Sequence, residues 1–324
     1  MRSLSLGMAG YVRQTRAPRG VTDHDAEGSG AVIGTVVLGL AAAALLGLGW
    51  VAQQHVAYTE PLGEMLHVRL LFDLARKPIW LAGIASMVGG QVLGGLALRG
   101  ADVASVEPLL ATNLIFALVS AALIYKERLG AAEWVGAVLV SGGVAVFLLA
   151  GRPHGGGMPA SDTMLWAAVL IVAGVAAGMV AVALRMPLQV KAMLLAGAAG
   201  ALYGLQDALT RGSLLTLARG PAVLFTSWQP YLLPVIAATG ILLNQSAFDA
   251  APLRISLPAT TATEPIIGIV LGVAIFGERL HVDPPALAGA VGGLVALVAG
   301  IVILGRSPFL AKSEQGQNAP PARR

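Results

Sequence analysis

Residues 255–280 read ISLPATTATEPIIGIVLGVAIFGERL. The stretch is apolar over the roughly 20 residues that a helix needs to cross a hydrocarbon layer about 30 Å thick. It carries one acid, Glu264, near its middle, and it closes on Glu278-Arg279-Leu280. A carboxylate inside a membrane helix is costly, so it faces the bundle interior or a water-filled path rather than lipid. The run therefore reads as a transmembrane helix with a functional position built into it.

Working outward, the whole chain has the same character. Of its 324 residues, 56% are hydrophobic and 12% charged, against roughly 25% charged in an average soluble domain. Apolar blocks of span length are expected at about 31–52, 79–98, 103–125, 131–150, 164–184, 191–210, 222–243, 255–276 and 285–304. The predicted fold is all-α: a polytopic membrane bundle of about nine transmembrane helices. Asp283 followed by Pro284 and Pro285 predicts a capped start for the last helix. Pro221, Pro230 and Pro234 leave open where helices begin and end between residues 211 and 234.

The closing triplet recurs. Glu127-Arg128-Leu129 stands 151 residues before Glu278-Arg279-Leu280 (278 minus 127), and at that offset Thr112 and Asn113 fall on Thr263 and Glu264. Both copies follow a span and precede a Gly/Val/Ala-rich one, so the chain reads as a duplication. Five crossings separate the two triplets, which puts them on opposite membrane faces and predicts an inverted repeat, a recurrent device of secondary transporters. The expected organisation is a disordered polar tail over 1–30, a first half over 31–152, a linker over 153–163, a second half over 164–305 and a disordered basic tail over 306–324.

Few polar groups lie inside the spans. Glu264 is the leading candidate for solute or ion binding, with Thr260 and Thr261 beside it. Thr260, Glu264 and Gly268 share a helical face, which predicts a small-residue strip where another helix comes close. Pro265 frees the carbonyl of Thr261 as an acceptor. Asn113, the repeat-related partner, is as readily an interhelical hydrogen-bonding amide as a ligand contact. Glu107 opens the third span, either in a vestibule or snorkelling to the interface. Gln91, Asp207 and Asn244, together with Gln206 and Gln245, complete the candidates. A divalent cation would draw on Glu264 and Glu107. The competing reading of Glu264 is a protonated acid that only packs helices together.

Other chemistry is not called for. The sequence has no cysteine, which removes disulfides, thiolate metal sites and cysteine nucleophiles. All five histidines, His24, His55, His67, His154 and His281, fall in expected tails or loops, away from any buried relay. Trp50, Trp80, Tyr125, Trp134 and Trp166 lie near span ends and read as an interfacial aromatic belt. The net charge of +4 belongs to loops and tails, so no nucleic-acid partner is expected, and neither is a cofactor. The expected partners are a small solute or cation and the lipid bilayer, with a homodimer left open.

The paired Lys126-Glu127-Arg128-Leu129 and Gly277-Glu278-Arg279-Leu280 resemble the repeat signature of the drug/metabolite transporter superfamily with EamA-like halves. Within it, Trp80-Leu81-Ala82-Gly83, Met87, Gly89-Gly90-Gln91 and Val106-Glu107-Pro108-Leu109 are similar to the NIPA-like branch, which is associated with magnesium transport. This chain offers four spans plus five where many superfamily members have five plus five, and Gln91 stands where the NIPA-like pattern tends to carry an acid. The resemblance implies a secondary transporter of a small metabolite or drug-like solute, working by alternating access; the excess of Arg over Lys points to a bacterial plasma membrane. A Mg²⁺ carrier is the alternative it implies. A non-transporting scaffold and a lipid-acting membrane enzyme are the readings set against it; no nucleophile–base pair in the loops supports an enzyme. The distribution of Lys and Arg favours an external N-terminal tail and a cytoplasmic C-terminal one.

Overall fold

Helix punctuation does most of the work of shaping the chain. The computed structural model describes residues 21–57, 66–97, 103–125, 129–151, 154–155, 161–280 and 283–306. In chain order these form α1 (Val21–Ala57), α2 (Val68–Leu74), α3 (Pro78–Ala97), α4 (Val103–Leu110), α5 (Asn113–Tyr125), α6 (Ala131–Gly151), β1 (His154–Gly155), α7 (Asp162–Ala183), α8 (Leu188–Leu217), α9 (Pro221–Thr226), α10 (Gln229–Ala250), α11 (Leu253–Phe276), β2 (Glu278–Arg279) and α12 (Pro284–Gly305). The Asp283 carboxylate accepts from the N–H of Ala286 at 3.0 Å, so the cap expected from Asp-Pro-Pro opens α12. Ser161 caps α7 in the same way through the N–H of Met164 at 3.2 Å. At the other end of a helix, Gly277 takes φ 68°, a left-handed conformation that glycine adopts without steric cost, and stops α11.

Among the described residues, eight helices are long and apolar enough to cross a membrane. The chain is an all-α, multi-pass membrane bundle. Three expected spans differ. Residues 103–125 form α4 and α5 rather than one helix, because the chain turns at Ala111 and Thr112, where the Thr112 hydroxyl donates to the carbonyl of Leu109 at 2.6 Å. The run expected at 222–243 divides because Pro221 and Pro230 each stand in the first turn of a separate helix, and α10 continues to Ala250. The first helix begins at Val21 rather than Ala31. Lys126, Glu127 and Arg128 lie outside the described residues, as do His281 and most of the two tails.

Packing gathers the helices around two centres. One core joins α7, α8, α10 and α11 through residues such as Leu165, Leu205, Leu243 and Phe276. The other joins α1, α2, α3 and α5 through Val51, Leu70, Trp80 and Leu118, and draws in Phe248 of α10 and Leu257 of α11. α6 and α12 lie along one another more extensively than any other pair. Gly136 meets the backbone of Gly300, and Gly143 meets that of Gly293, so the two helices run antiparallel. A Cβ on Gly143 would fall 2.6 Å from the carbonyl oxygen of Gly293, and one on Gly293 2.7 Å from that of Gly143. Only paired glycines allow backbones this close, the form of helix contact that dispersion favours where lipid removes the hydrophobic drive. Large apolar side chains such as Leu170, Ile171 and Val295 point outward, the surface expected of a protein solvated by lipid.

Candidate functional site

A cavity of about 700 Å³ opens between the two cores. Its walls come from α1, α3, α5 and α6 on one side and from α8, α10 and α11 on the other, with Leu110 of α4 and Ala111 at the helix break. Seven of the residues singled out by sequence line it: Glu264, Asn113, Thr260, Thr261, Gln91, Gln206 and Asp207. The size falls within the range of small-molecule pockets.

Glu264 reaches the cavity because α11 is held tightly against α8. The close approach is made by α8. A Cβ on Gly204 would lie 2.6 Å from the carbonyl oxygen of Glu264 and 3.0 Å from the nitrogen of Gly268; one on Gly200 would lie 2.7 Å from the carbonyl oxygen of Thr260. Gly268, expected to belong to the contact strip, has open space where its Cβ would be. The strip therefore runs along Gly200 and Gly204. α11 remains continuous through Pro258 and Pro265.

Thr260 is fully buried at the edge of the cavity. Its hydroxyl lies 3.1 Å from the carbonyl oxygen of Ala196, to which it donates, and 3.0 Å from the side-chain amide of Asn244. Asn244 is fully buried and lies behind the wall, against the lining residue Thr260. Asn113 occupies the first position of α5, directly after the break, and its Oδ1 is buried without a hydrogen-bond partner. Helix interruptions in a membrane bundle are tolerated where they line a cavity, as Ala111 and Asn113 do. Glu107 lies in α4, and its side chain is outside the described part of the structure.

One end of the cavity is bordered by a buried polar layer. Gln245 of α10 donates through its Nε2 to Oε1 of Gln53 in α1, and Gln53 donates to the sulfur of Met87 in α3. Beside them Trp50 packs edge-on to Phe248 at 5.8 Å between ring centres. Toward the other end, Gln91 and Asp207 are exposed. There the Gly277 turn sends Glu278 back against Gly272, where its carboxylate pairs with Arg211 of α8. Arg211 also lies over the ring of Phe276, 4.9 Å from its centre. Glu278 of the second triplet is therefore a clasp between the ends of α8 and α11. β2 continues from it and pairs antiparallel with β1, so that His154 faces Arg279 and Gly155 faces Glu278.

An uncharacterized protein of Corynebacterium glutamicum is 30% identical to this chain over 283 residues, a stretch that takes in 86% of this chain and 98% of that protein. The chain belongs to the family of that protein. No family model matches it, and no solved structure does. Because the likeness runs nearly the full length of the corynebacterial protein, the family is defined over the whole bundle.

For this family member, three lining residues escaped the sequence reading. The expected first span ends at Ala52 and leaves Gln53 in a loop, whereas the helix runs to Ala57. Trp50, expected in the interfacial belt, is buried, as is Trp80, while Trp134 and Trp166 are exposed. Tyr203 packs its ring against Gly240, where a Cβ would fall 2.7 Å from Cε1. A hydroxyl in the middle of the expected span 191–210 was the available signal for it.

Proposed function

We propose that the protein is a secondary transporter of a small solute, working by alternating access between two inverted halves, with Glu264 as the group that takes a proton or cation. The observation that carries this reading is the cavity itself: an intramembrane acid, an interrupted helix and a ring of amides and hydroxyls surround one space of about 700 Å³ between two packing centres. Transporter sites are characteristically built at such a seam, from discontinuous helices near the bilayer midplane.

The helix contacts support two related halves. α1 packs on α3 as α8 packs on α10, α1 on α5 as α8 on α11, α4 on α6 as α11 on α12, and α3 on α4 as α10 on α11. α6 and α12 pair with each other, as elements beside a twofold axis would. α7, which packs on α8, has no counterpart among the described residues, in keeping with four spans plus five. The likeness to the drug/metabolite transporter superfamily supports the same reading, and a magnesium carrier is its narrower form.

The test is reconstitution of the full chain in proteoliposomes with an internal pH dye and a panel of amines, amino acids and Mg²⁺. At least one solute is expected to drive proton movement, and Glu264→Gln is expected to abolish it while the variant still inserts and elutes as a monodisperse species. Undiminished solute-driven flux in the variant would remove Glu264 from the mechanism.

A further inference from the structure

The signs and types of group around the cavity go further than its existence. The described lining holds two carboxylates, Asp207 and Glu264, and no Lys, Arg or His. Thr260 and Gln53 donate to protein partners, Ala196 and Met87, while Thr261, Gln91, Gln206 and Tyr203 give the lining neutral groups that both donate and accept. Asn113 contributes a buried acceptor oxygen that no protein group satisfies. Trp50 and Tyr203 bring aromatic rings to the same space, and Leu46, Ile84 and Leu148 supply apolar wall. An anion entering here would meet like charge in a medium that screens poorly. A ligand with N–H donors and positive charge would meet carboxylates, an open acceptor and aromatic rings, each of which attracts a cation.

We infer that the cavity binds a small organic cation, an ammonium group carried on an apolar body, with Glu264 as its counter-ion. The inference rests on the reading of this cavity as the solute site. A compact divalent ion is strongly hydrated and needs a shell of oxygens in near-ideal geometry. An ammonium ion gives up its water more cheaply, and its apolar body matches walls in which hydrocarbon side chains alternate with the polar groups.

Isothermal titration calorimetry on the purified full chain in detergent tests this, with four probes at neutral pH. Phenethylamine is the cation, phenethyl alcohol its uncharged analogue, hydrocinnamate its anionic one and magnesium chloride the inorganic cation. The amine is expected to bind at least tenfold more tightly than the alcohol, a difference of about 1.4 kcal/mol, and hydrocinnamate to give no binding heat. Glu264→Gln is expected to weaken the amine by roughly the same factor and leave the alcohol unchanged. Asp207→Asn, at the exposed edge of the cavity, provides a second charge deletion should the first variant fail to remain monodisperse. Equal affinity for amine and alcohol, binding of hydrocinnamate, tighter binding of Mg²⁺ at the same site, or no amine binding at all would each overturn the inference. Amine binding without flux in proteoliposomes would instead sink the transporter reading alone. Flux of another solute without amine binding would sink only the organic-cation assignment.

Discussion

Gly204 and Gly268 sit on facing helices, and what a methyl group would do at each is opposite. At Gly204 a Cβ would run into the carbonyl oxygen of Glu264 and the nitrogen of Gly268, both backbone atoms that cannot move aside. At Gly268 there is nothing within reach. Gly204→Ala is therefore expected to destabilise the protein by about 1–3 kcal/mol through overpacking, and to displace Glu264 with the backbone that carries it. Gly268→Ala is expected to be neutral, or stabilising by up to about 1 kcal/mol from helix propensity. Thermal unfolding in detergent separates the two, and a tolerated Gly204→Ala would mean that α8 and α11 are not in register as described. Glu264 was legible in the sequence because one charge in a long apolar run has few inexpensive positions. Gly204 was not, because with 41 glycines in the chain no single one announces which neighbour approaches it. Asn244 shows a related limit: sequence identifies an amide within the membrane, but only packing decides whether it faces the cavity or holds Thr260 from behind.

At the scale of the element, the apolar blocks and the proline and glycine punctuation gave nearly all of the helices, since length and composition alone mark a membrane span. What they left out depends on local competition for hydrogen bonds. Pro258 and Pro265 lie inside a continuous α11, whereas α4 and α5 separate at Ala111 and Thr112. Both segments carry prolines, Pro108 in α4 and the pair in α11, so proline content alone does not decide which helix is interrupted. The second Glu-Arg-Leu triplet is legible in the sequence only as a recurring pattern; its chemistry becomes visible with the turn that precedes it. Gly277 at φ 68° aims Glu278 back along α11 toward Gly272 and into its pair with Arg211. A side chain at position 277 has to bear the cost of a left-handed conformation, about 1–2 kcal/mol. Gly277→Ala is expected to lose that much in stability. In a double-mutant cycle with Glu278→Ala its effect should be non-additive, because both changes release the same clasp. Strict additivity would show that the turn and the ion pair act independently.

For the whole molecule, the arrangement divides into a fixed seam and a segment that crosses it. α6 and α12 meet through reciprocal glycine contacts so close that sliding one past the other would force backbone into backbone. For the proposed alternating access, this contact leaves rotation about the seam rather than translation along it. The β1–β2 pair joins the segment after α6 to the segment after α11, at the end where the Arg211 and Glu278 clasp lies. If the cavity closes at that end during the cycle, the two strands have to shift relative to one another. The chain has no cysteine of its own, so His154→Cys with Arg279→Cys introduces a single pair at facing positions of an antiparallel ladder. Facing Cα atoms in such a ladder are about 4.5–5.5 Å apart, a separation that a disulfide can bridge. Oxidation of the double variant in proteoliposomes is expected to arrest solute flux, and reduction to restore it, while each single variant is indifferent to oxidant. Full flux through the cross-linked protein would show that the two strands do not shift during turnover, and the moving parts would then have to be sought at the Gln53–Gln245 layer.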